Sequence, residues 1–226
     1  MRGVPRLRGY TAHEPAVLDP AVTRSAFIVF EGLDGSGKTT QLLWLAGALR
    51  AAGHPVVTTR EPTDGAYGRR IRAMAKGRER PAPEEELRWF VEDRREHVSG
   101  VITPALARRE IVLSDRYYLS TVTYQGARGL DWAAILAQNE AEFPIPDLVL
   151  LLEIDPSQAL ARVRERGGRA EPAFEEGSFL ARVAALYREL PCVYLERLDA
   201  RSEPERVREA VSEAVRRRLG LPDPRA

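Results

Sequence analysis

Residues 32–39 carry the strongest chemical signal in the sequence, because they read Gly-Leu-Asp-Gly-Ser-Gly-Lys-Thr and match the phosphate-binding pattern G-x-x-x-x-G-K-[ST]. Glycines allow a tight turn whose backbone N–H groups face an anion, and the N-terminus of the following helix adds positive potential. Lys38 would place an ammonium group on the β- and γ-phosphates, and Thr39 would bind Mg²⁺. The predicted nucleoside triphosphate contacts are Gly32, Gly35, Ser36, Gly37, Lys38, Thr39 and Thr40.

This loop alone does not distinguish a kinase from a GTPase or an ATPase motor. The Asn/Thr-Lys-x-Asp motif that reads guanine in switch GTPases has no counterpart here, which disfavours a guanine-nucleotide switch. A glycine-rich turn with an exposed lysine is the structural alternative, but the apolar strand before the loop and the helix after it disfavour that interpretation.

Charged residues follow two further strand candidates. Asp115 and Arg116 come directly after an apolar run, and Arg60 follows another. The ligand crevice of an open α/β sheet lies at the carboxyl ends of its strands, where a carboxylate can hold Mg²⁺ and an arginine can bind a phosphate. The alternative is a surface Asp-Arg pair that closes a turn.

Phe90 and Arg94 lie four residues apart, so on a helix they share one face. An aromatic ring beside a guanidinium could stack on a base and hydrogen-bond its edge. By itself, such a pair is more often a core aromatic with a salt bridge.

Arginines also gather before and around Gly167-Gly168. A glycine hinge that carries arginines can close over a nucleotide, exclude water and stabilise charge on a transferring phosphoryl group. A solvated charged helix end is the alternative. The arginines concerned are Arg162, Arg164, Arg166 and Arg169.

These residues need an alternating α/β framework to position them. Short apolar, β-rich runs alternate with amphipathic segments, which predicts a parallel sheet with helical crossovers. The strand candidates are Ala26–Glu31, Pro55–Thr59, Ile111–Ser114, Leu148–Ile154 and Cys192–Leu195. The predicted helices include Lys38–Ala52, one or two helices within Glu84–Arg109 because of Gly100 and Pro104, and Pro204–Leu219.

Composition narrows the class of protein. The 226 residues include 34 basic and 33 acidic ones, so no net field favours a nucleic acid polymer or an anionic membrane. A single cysteine cannot form an internal disulfide, and no apolar run approaches the roughly 20 residues that span a bilayer. The three histidines show no metal-ligand spacing. We therefore expect one cytoplasmic α/β domain, at residues 26–219, preceded by a poorly ordered extension at 1–25 and followed by a tail at 220–226.

Together these residues resemble the thymidylate kinase family from about Ala26 to Leu219. The resemblance rests on the stretch from Phe30 to Thr40, on Thr59-Arg60-Glu61-Pro62, on Asp115-Arg116-Tyr117, on Ser120-Thr121 with Tyr124-Gln125, and on Pro146-Asp147-Leu148. It implies a three-layer α/β/α P-loop kinase fold with a five-stranded parallel sheet and a short lid at about 164–176. It also implies ATP-dependent phosphorylation of dTMP to dTDP by direct in-line transfer, with Mg²⁺.

The resemblance assigns a role to each matching position. Phe90 would stack on thymine and Arg94 would bind its O4, Arg60 and Arg116 would hold the dTMP phosphate, and Tyr124 would pack against the deoxyribose. Thr121 and Gln125 match polar positions of the substrate site. The implied catalytic residues are Lys38, Asp34, Arg116, Arg164, Arg166 and Arg169; the implied Mg²⁺ residues are Thr39, Asp34 and Asp115.

Two departures from the family pattern concern the site. Many members follow Glu-Pro with two glycines, whereas this chain has Thr63-Asp64, and Ala173 stands where the lid commonly carries an arginine. No arginine lies between Gly32 and Gly37, which resembles the bacterial members that use lid arginines. The family also implies a homodimer. The alternatives left open are a kinase for another deoxynucleoside monophosphate or for a nucleoside, and a P-loop regulatory ATPase.

Overall fold

One sheet of five parallel strands forms the centre of the molecule in a computed structural model that describes residues 25–77, 80–165 and 177–221. The strands are β1 (Ala26–Glu31), β2 (Val56–Arg60), β3 (Ile111–Asp115), β4 (Leu148–Glu153) and β5 (Leu195–Asp199). Their order across the sheet is β2-β3-β1-β4-β5, and every neighbouring pair is parallel.

Helices connect the strands and cover both faces of the sheet. They are α1 (Lys38–Ala51), α2 (Ala66–Lys76), α3 (Pro83–His97), α4 (Thr103–Ala107), α5 (Tyr118–Ala127), α6 (Trp132–Glu142), α7 (Pro156–Glu165), α8 (Gly177–Glu189) and α9 (Pro204–Leu219), with a π-helical turn at Val98–Ile102. Within the described ranges, none of these helices combines the length and apolarity that crossing a bilayer requires.

The core consists of two apolar layers, one on each face of the sheet. Leu45 of α1 and Val211 of α9 pack with one set of strand side chains, including Ile28 of β1. Val122 of α5 and Val183 of α8 pack on the opposite face. The α/β fold, with a buried parallel sheet between helical layers, is therefore confirmed.

The fifth strand was predicted too early in the chain. The sequence favours Cys192–Leu195, but β5 spans Leu195–Asp199. The backbone turns before it, where the N–H of Leu195 donates to the carbonyl of Cys192 at 3.1 Å. β5 is an edge strand, and its charged residues Glu196 and Arg197 leave it without the apolar run by which the other strands were predicted.

The segment predicted as one or two helices is helical almost throughout. α3 passes through the π-helical turn into α4 without an intervening loop. Gly100 lies in the π-helical turn, and Pro104, which has no N–H to donate, follows that turn at the second residue of α4.

Candidate active site

The loop between β1 and α1 folds around the ammonium group of Lys38. Its Nζ donates to the carbonyl oxygens of Gly32 at 3.0 Å and Leu33 at 2.9 Å. Gly35 has φ +90°, and a Cβ there would lie 2.2 Å from the carbonyl oxygen of Ala159 in α7. Only glycine fits such close packing, which presses the loop against α7.

Two cations and one carboxylate converge at the open side of this loop. Nη2 of Arg116 donates to Oδ1 of Asp34 at 2.5 Å, and Nζ of Lys38 lies 3.5 Å from the same oxygen. Desolvation in the crevice would raise the pKa of the Asp34 carboxyl, although its side chain is 60% exposed, but the charges of Arg116 and Lys38 prevail and hold that pKa well below its usual range. The cluster joins two basic side chains to one carboxylate, an arrangement suited to bind an anion.

Thr39 and Asp115 lie side by side because β3 pairs with β1. Oγ1 of Thr39 donates to Oδ2 of Asp115 at 2.5 Å, and Asp115 is in register with Phe30. A hydroxyl and a carboxylate are hard oxygen ligands of the kind that Mg²⁺ prefers. No group of three or more His, Cys, Asp and Glu side chains among the described residues could hold a metal ion. Nucleotide phosphates commonly supply further Mg²⁺ ligands in kinase sites.

Glu31 is a buried carboxylate that is linked to Arg116 through Ser120. It is fully buried and accepts hydrogen bonds from the backbone N–H groups of Tyr117 and Ser120, from Oγ of Ser120 and from the hydroxyl of Tyr187. Oγ of Ser120 in turn accepts from Nη1 of Arg116 at 2.7 Å. Burial raises the pKa of Glu31. Sequence reasoning missed this role, although a charged residue ending an apolar strand is a usable signal.

Replacing Glu31 with alanine should lower the free energy of unfolding by about 2–4 kcal/mol, because it leaves buried backbone and hydroxyl donors without an acceptor. Urea denaturation followed by circular dichroism would measure the loss. Glu31→Gln keeps an acceptor oxygen and should cost less than half as much. Equal losses in the two variants would contradict a hydrogen-bonding role for this carboxylate.

Two concave regions meet at Asp34 and Arg116, which line both. We call the first the phosphate chamber; it is lined by Asp34, Gly35, Gly37, Lys38, Thr39, Thr40, Arg60, Glu61, Asp115, Arg116 and Val163. We call the second the Phe90 cavity; it is lined by Asp34, Pro62, Ile71, Arg72, Ala75, Phe90, Arg116, Ser120, Thr121 and Tyr124.

A third concave region lies beside the loop, and we call it the Arg162 cleft. It is lined by Gly35, Ser36, Gly37, Thr40, Gln41, Arg162, Glu165, Ala200, Ser202, Glu203, Pro204 and Val207.

Phe90, Thr121 and Tyr124 therefore line one cavity. The ring of Tyr124 packs edge to face on Phe179, 6.0 Å between centroids, and the guanidinium of Arg116 lies 5.4 Å from the Tyr124 centroid. Burial raises the pKa of Tyr124 to about 12, so its hydroxyl stays neutral at physiological pH. The part of the wall formed by Phe90 and Tyr124 is thus aromatic and neutral, while the charged side chains of Asp34, Arg72 and Arg116 also line the cavity.

Arg94 lies behind the cavity wall. Its side chain is fully buried and donates to Oε2 of Glu61 from Nε and Nη2, to Oδ1 of Asn139 and to Oγ1 of Thr121. Thr121 lines the Phe90 cavity and Arg94 does not. Contact between Arg94 and a base therefore stays a prediction. Glu61 and Asn139 are partners that sequence reasoning missed.

Gln125 follows Tyr124 on α5 but does not line the Phe90 cavity. It is fully buried, and its Nε2 donates to Oε1 of Glu86 at 2.7 Å. Glu86 additionally accepts from Arg80 and Arg128, which ties the start of α3 to the end of α5. Oε1 of Gln125 has no hydrogen-bond partner among the described residues. Its contact with substrate stays a prediction.

The remaining predicted arginines differ in position. Arg60 lines the phosphate chamber but pairs with Asp64, and Arg164 is exposed on the last turn of α7. Arg162 lines the cleft beside the loop, where its Nη1 donates to the carbonyl of Ala200 at 2.9 Å. Arg166, Arg169 and most of the predicted lid lie outside the described residues, as does most of the predicted extension.

A family model and individual proteins that are similar to this chain point to the same family. The family model described as "Thymidylate kinase" matches residues 30–211. A protein named "Thymidylate kinase" from Desulfotalea psychrophila is 40% identical over 194 residues, covering 86% of this chain and 96% of the relative. A protein of the same name from Akkermansia muciniphila is 43% identical, with 87% and 94% covered. A "Probable thymidylate kinase" from Archaeoglobus fulgidus is 39% identical, with 86% and 96% covered.

Proposed function

This chain belongs to the thymidylate kinase family, and we infer that it transfers the γ-phosphoryl group of ATP to dTMP, which forms dTDP and ADP. One observation supports this most directly. The phosphate chamber and the Phe90 cavity adjoin at Asp34 and Arg116, so an acceptor nucleotide in the cavity would present its phosphate to the chamber.

The Phe90 cavity suits a pyrimidine deoxynucleotide. Phe90 offers a ring for stacking, Thr121 a hydroxyl held by Arg94, and Tyr124 a buried aromatic wall. We propose that thymine lies against Phe90 with its polar edge toward Thr121 and Arg94, and that Tyr124 packs against the deoxyribose. Arg116, at the junction, then faces the 5′-phosphate.

The Phe90→Ala variant should bind dTMP about tenfold or more weakly, since base–aromatic stacking contributes about 1–3 kcal/mol per base. Calorimetric titration with dTMP would measure the change. The KM for ATP should stay within about twofold, because Phe90 does not line the phosphate chamber. Unchanged dTMP affinity would remove Phe90 from the substrate site.

The phosphate-binding loop and the Arg162 cleft provide a place for ATP. The loop's N–H groups and Lys38 would hold the triphosphate, and the adenine would lie in the adjoining cleft between Arg162 and Pro204. This cleft shares Gly35, Gly37 and Thr40 with the phosphate chamber. The triphosphate can therefore run from the cleft into the chamber without leaving the loop.

Phosphoryl transfer then requires positioning and charge neutralisation more than covalent chemistry. A phosphate monoester is already nucleophilic near neutral pH, so the protein mainly holds two repelling anions in line. Lys38 and Arg116 would neutralise the negative charge between the donor and acceptor phosphates. Asp34 keeps both basic side chains in place before substrate arrives. Arg164, Arg166 and Arg169 are the proposed lid residues that complete this neutralisation.

Thr39 and Asp115 would hold Mg²⁺, with Asp34 nearby. When bound with ATP, the ion neutralises phosphate charge and orients the triphosphate. The hydrogen bond from Thr39 to Asp115, 2.5 Å between the two oxygens, supports the assignment of both to one ion.

Assembly and location follow from the family resemblance. We propose a homodimer and a cytoplasmic enzyme. Light scattering coupled to size-exclusion chromatography would test the first; a monomer at micromolar concentration would contradict it.

The substrate assignment is tested with a panel of acceptors, namely dTMP, dUMP, dCMP and thymidine, each with ATP and Mg²⁺. We expect dTMP to give the highest kcat/KM. A higher value for another monophosphate, or for the nucleoside, would replace dTMP as the substrate.

A further inference from the structure

The guanidinium of Arg60 is held by a carboxylate beside the phosphate chamber. Nη2 of Arg60 donates to Oδ1 of Asp64 at 2.9 Å and to Oδ2 at 3.1 Å. Arg60 lines the phosphate chamber and Asp64 does not, so the carboxylate holds the arginine from outside. An anion in the chamber that binds Nη2 of Arg60 would therefore compete with Asp64 for that nitrogen.

The turn that carries Asp64 is fixed in place by its neighbours. The backbone N–H and hydroxyl of Thr63 both donate to the carboxylate of Asp93, at 2.9 and 2.6 Å. Nη1 of Arg72 donates to the carbonyl of Pro62 at 2.8 Å and also to that of Thr63. A Cβ at Gly68 would lie 2.0 Å from the carbonyl oxygen of Thr63, which shows how closely α2 packs on the turn. These contacts fix the backbone of the turn, and they hold the Asp64 carboxylate close to Arg60.

Asp64 does not depend on Arg60 alone. Nη2 of Arg72 also donates to Oδ1 of Asp64 at 2.9 Å, and Asp64 immediately precedes Gly65, the N-cap of α2. Negative charge is favourable at a helix N-terminus. The carboxylate can therefore release Arg60 and keep two favourable interactions.

The pair is weak enough to be exchanged. The Arg60 side chain is 60% exposed and the Asp64 side chain 79% exposed, and ion pairs at such exposure contribute little in water. A substrate phosphate carries more charge than a carboxylate and can bind the guanidinium through two oxygens. Even so, the apparent affinity of a ligand is reduced by the fraction of protein that is not ready to bind it.

On these grounds, and resting on the proposed function, we propose that Asp64 is a displaceable counter-ion that occupies Arg60 until the acceptor phosphate takes its place, and so sets the affinity for dTMP. The opposite role, in which Asp64 only orients Arg60 for the phosphate, makes the opposite prediction for its removal. The sign of one binding change therefore decides between them.

The test is the Asp64→Asn variant of the full chain, titrated with dTMP and separately with thymidine. The variant should bind dTMP about two- to fivefold more tightly, the range expected for removing an exposed ion pair. Thymidine, which has no phosphate, should bind the two proteins equally. Glu110→Gln removes the exposed Arg108–Glu110 pair and should leave both affinities unchanged.

A second comparison assigns the effect to Arg60. In the Arg60→Ala background, Asp64→Asn should no longer tighten dTMP binding, because the guanidinium for which Asp64 and the phosphate compete is absent. Unchanged or weaker dTMP binding in Asp64→Asn would overturn the proposal, as would equal tightening for thymidine or a full effect without Arg60. A folded wild-type chain that does not bind dTMP at all would instead contradict the proposed function.

Discussion

Replacing Lys38 with methionine is expected to lower kcat by about 10²–10³-fold, the typical loss when one preorganised donor to developing charge is removed. Nζ of Lys38 lies inside the phosphate-binding loop, 3.5 Å from Asp34, and its side chain is only 6% exposed. Methionine fills similar space but has no charge, so the fold should persist while the phosphates lose their ammonium partner. Initial rates at saturating ATP and dTMP would measure the effect.

The sequence offers a matched control for this variant. Lys76, the chain's other lysine, is exposed at the end of α2, and Lys76→Met should leave kcat unchanged. Near-normal turnover in Lys38→Met would remove the loop from the chemistry. Equal losses in both variants would show a general effect of charge on the enzyme.

Replacing Glu61 with alanine is expected to lower the free energy of unfolding by about 3–5 kcal/mol, the usual cost of removing one partner from a buried ion pair. Arg94 is fully buried and its Nη2 lies 2.6 Å from Glu61 Oε2, while Nδ1 of His97 lies 3.0 Å from Oε1. Without the carboxylate, the guanidinium would keep only Asn139 and Thr121 as hydrogen-bond acceptors among the residues that the structure describes. Urea denaturation would measure the loss.

The pH dependence of this stabilisation follows from the pKa of Glu61. Burial alone would raise it, but Arg94 and His97 prevail and lower it below the usual value of 4.5. The contribution should be complete above pH 4.5 and should be lost as the pH falls through the lower pKa of the folded state. Glu110→Ala, which breaks an exposed pair with Arg108, should cost about 1 kcal/mol or less. A comparable loss in the two variants would contradict a buried role for Glu61.

The sequence predicted the central sheet because its interior strands are apolar on both faces. β1 is buried at every position, so its composition reports its environment directly. β5 lies at the edge, has charged residues at three of its five positions, and was predicted several residues too early. Sequence patterns thus located the interior strands, which support the phosphate-binding loop, more accurately than they located the edge strand β5.

The candidate site was predictable where residue type implies a ligand. The loop glycines, Lys38, and the Thr39–Asp115 pair have the proximity that their motifs indicate. The supporting residues could not be predicted in this way, because their partners are distant in sequence. Glu31 meets Tyr187, 156 positions away, and Arg94 meets Asn139, 45 positions away. Only the fold brings these side chains together.

The most direct test of the account is the stoichiometry of the wild-type reaction. Initial rates of ADP and dTDP formation are measured with ATP and Mg²⁺, with and without dTMP. We predict one dTDP for each ADP, and little ADP when dTMP is absent, because the acceptor phosphate completes the site at Asp34 and Arg116. ADP formation that does not depend on dTMP, without matching dTDP, would contradict direct transfer and would favour a regulatory ATPase.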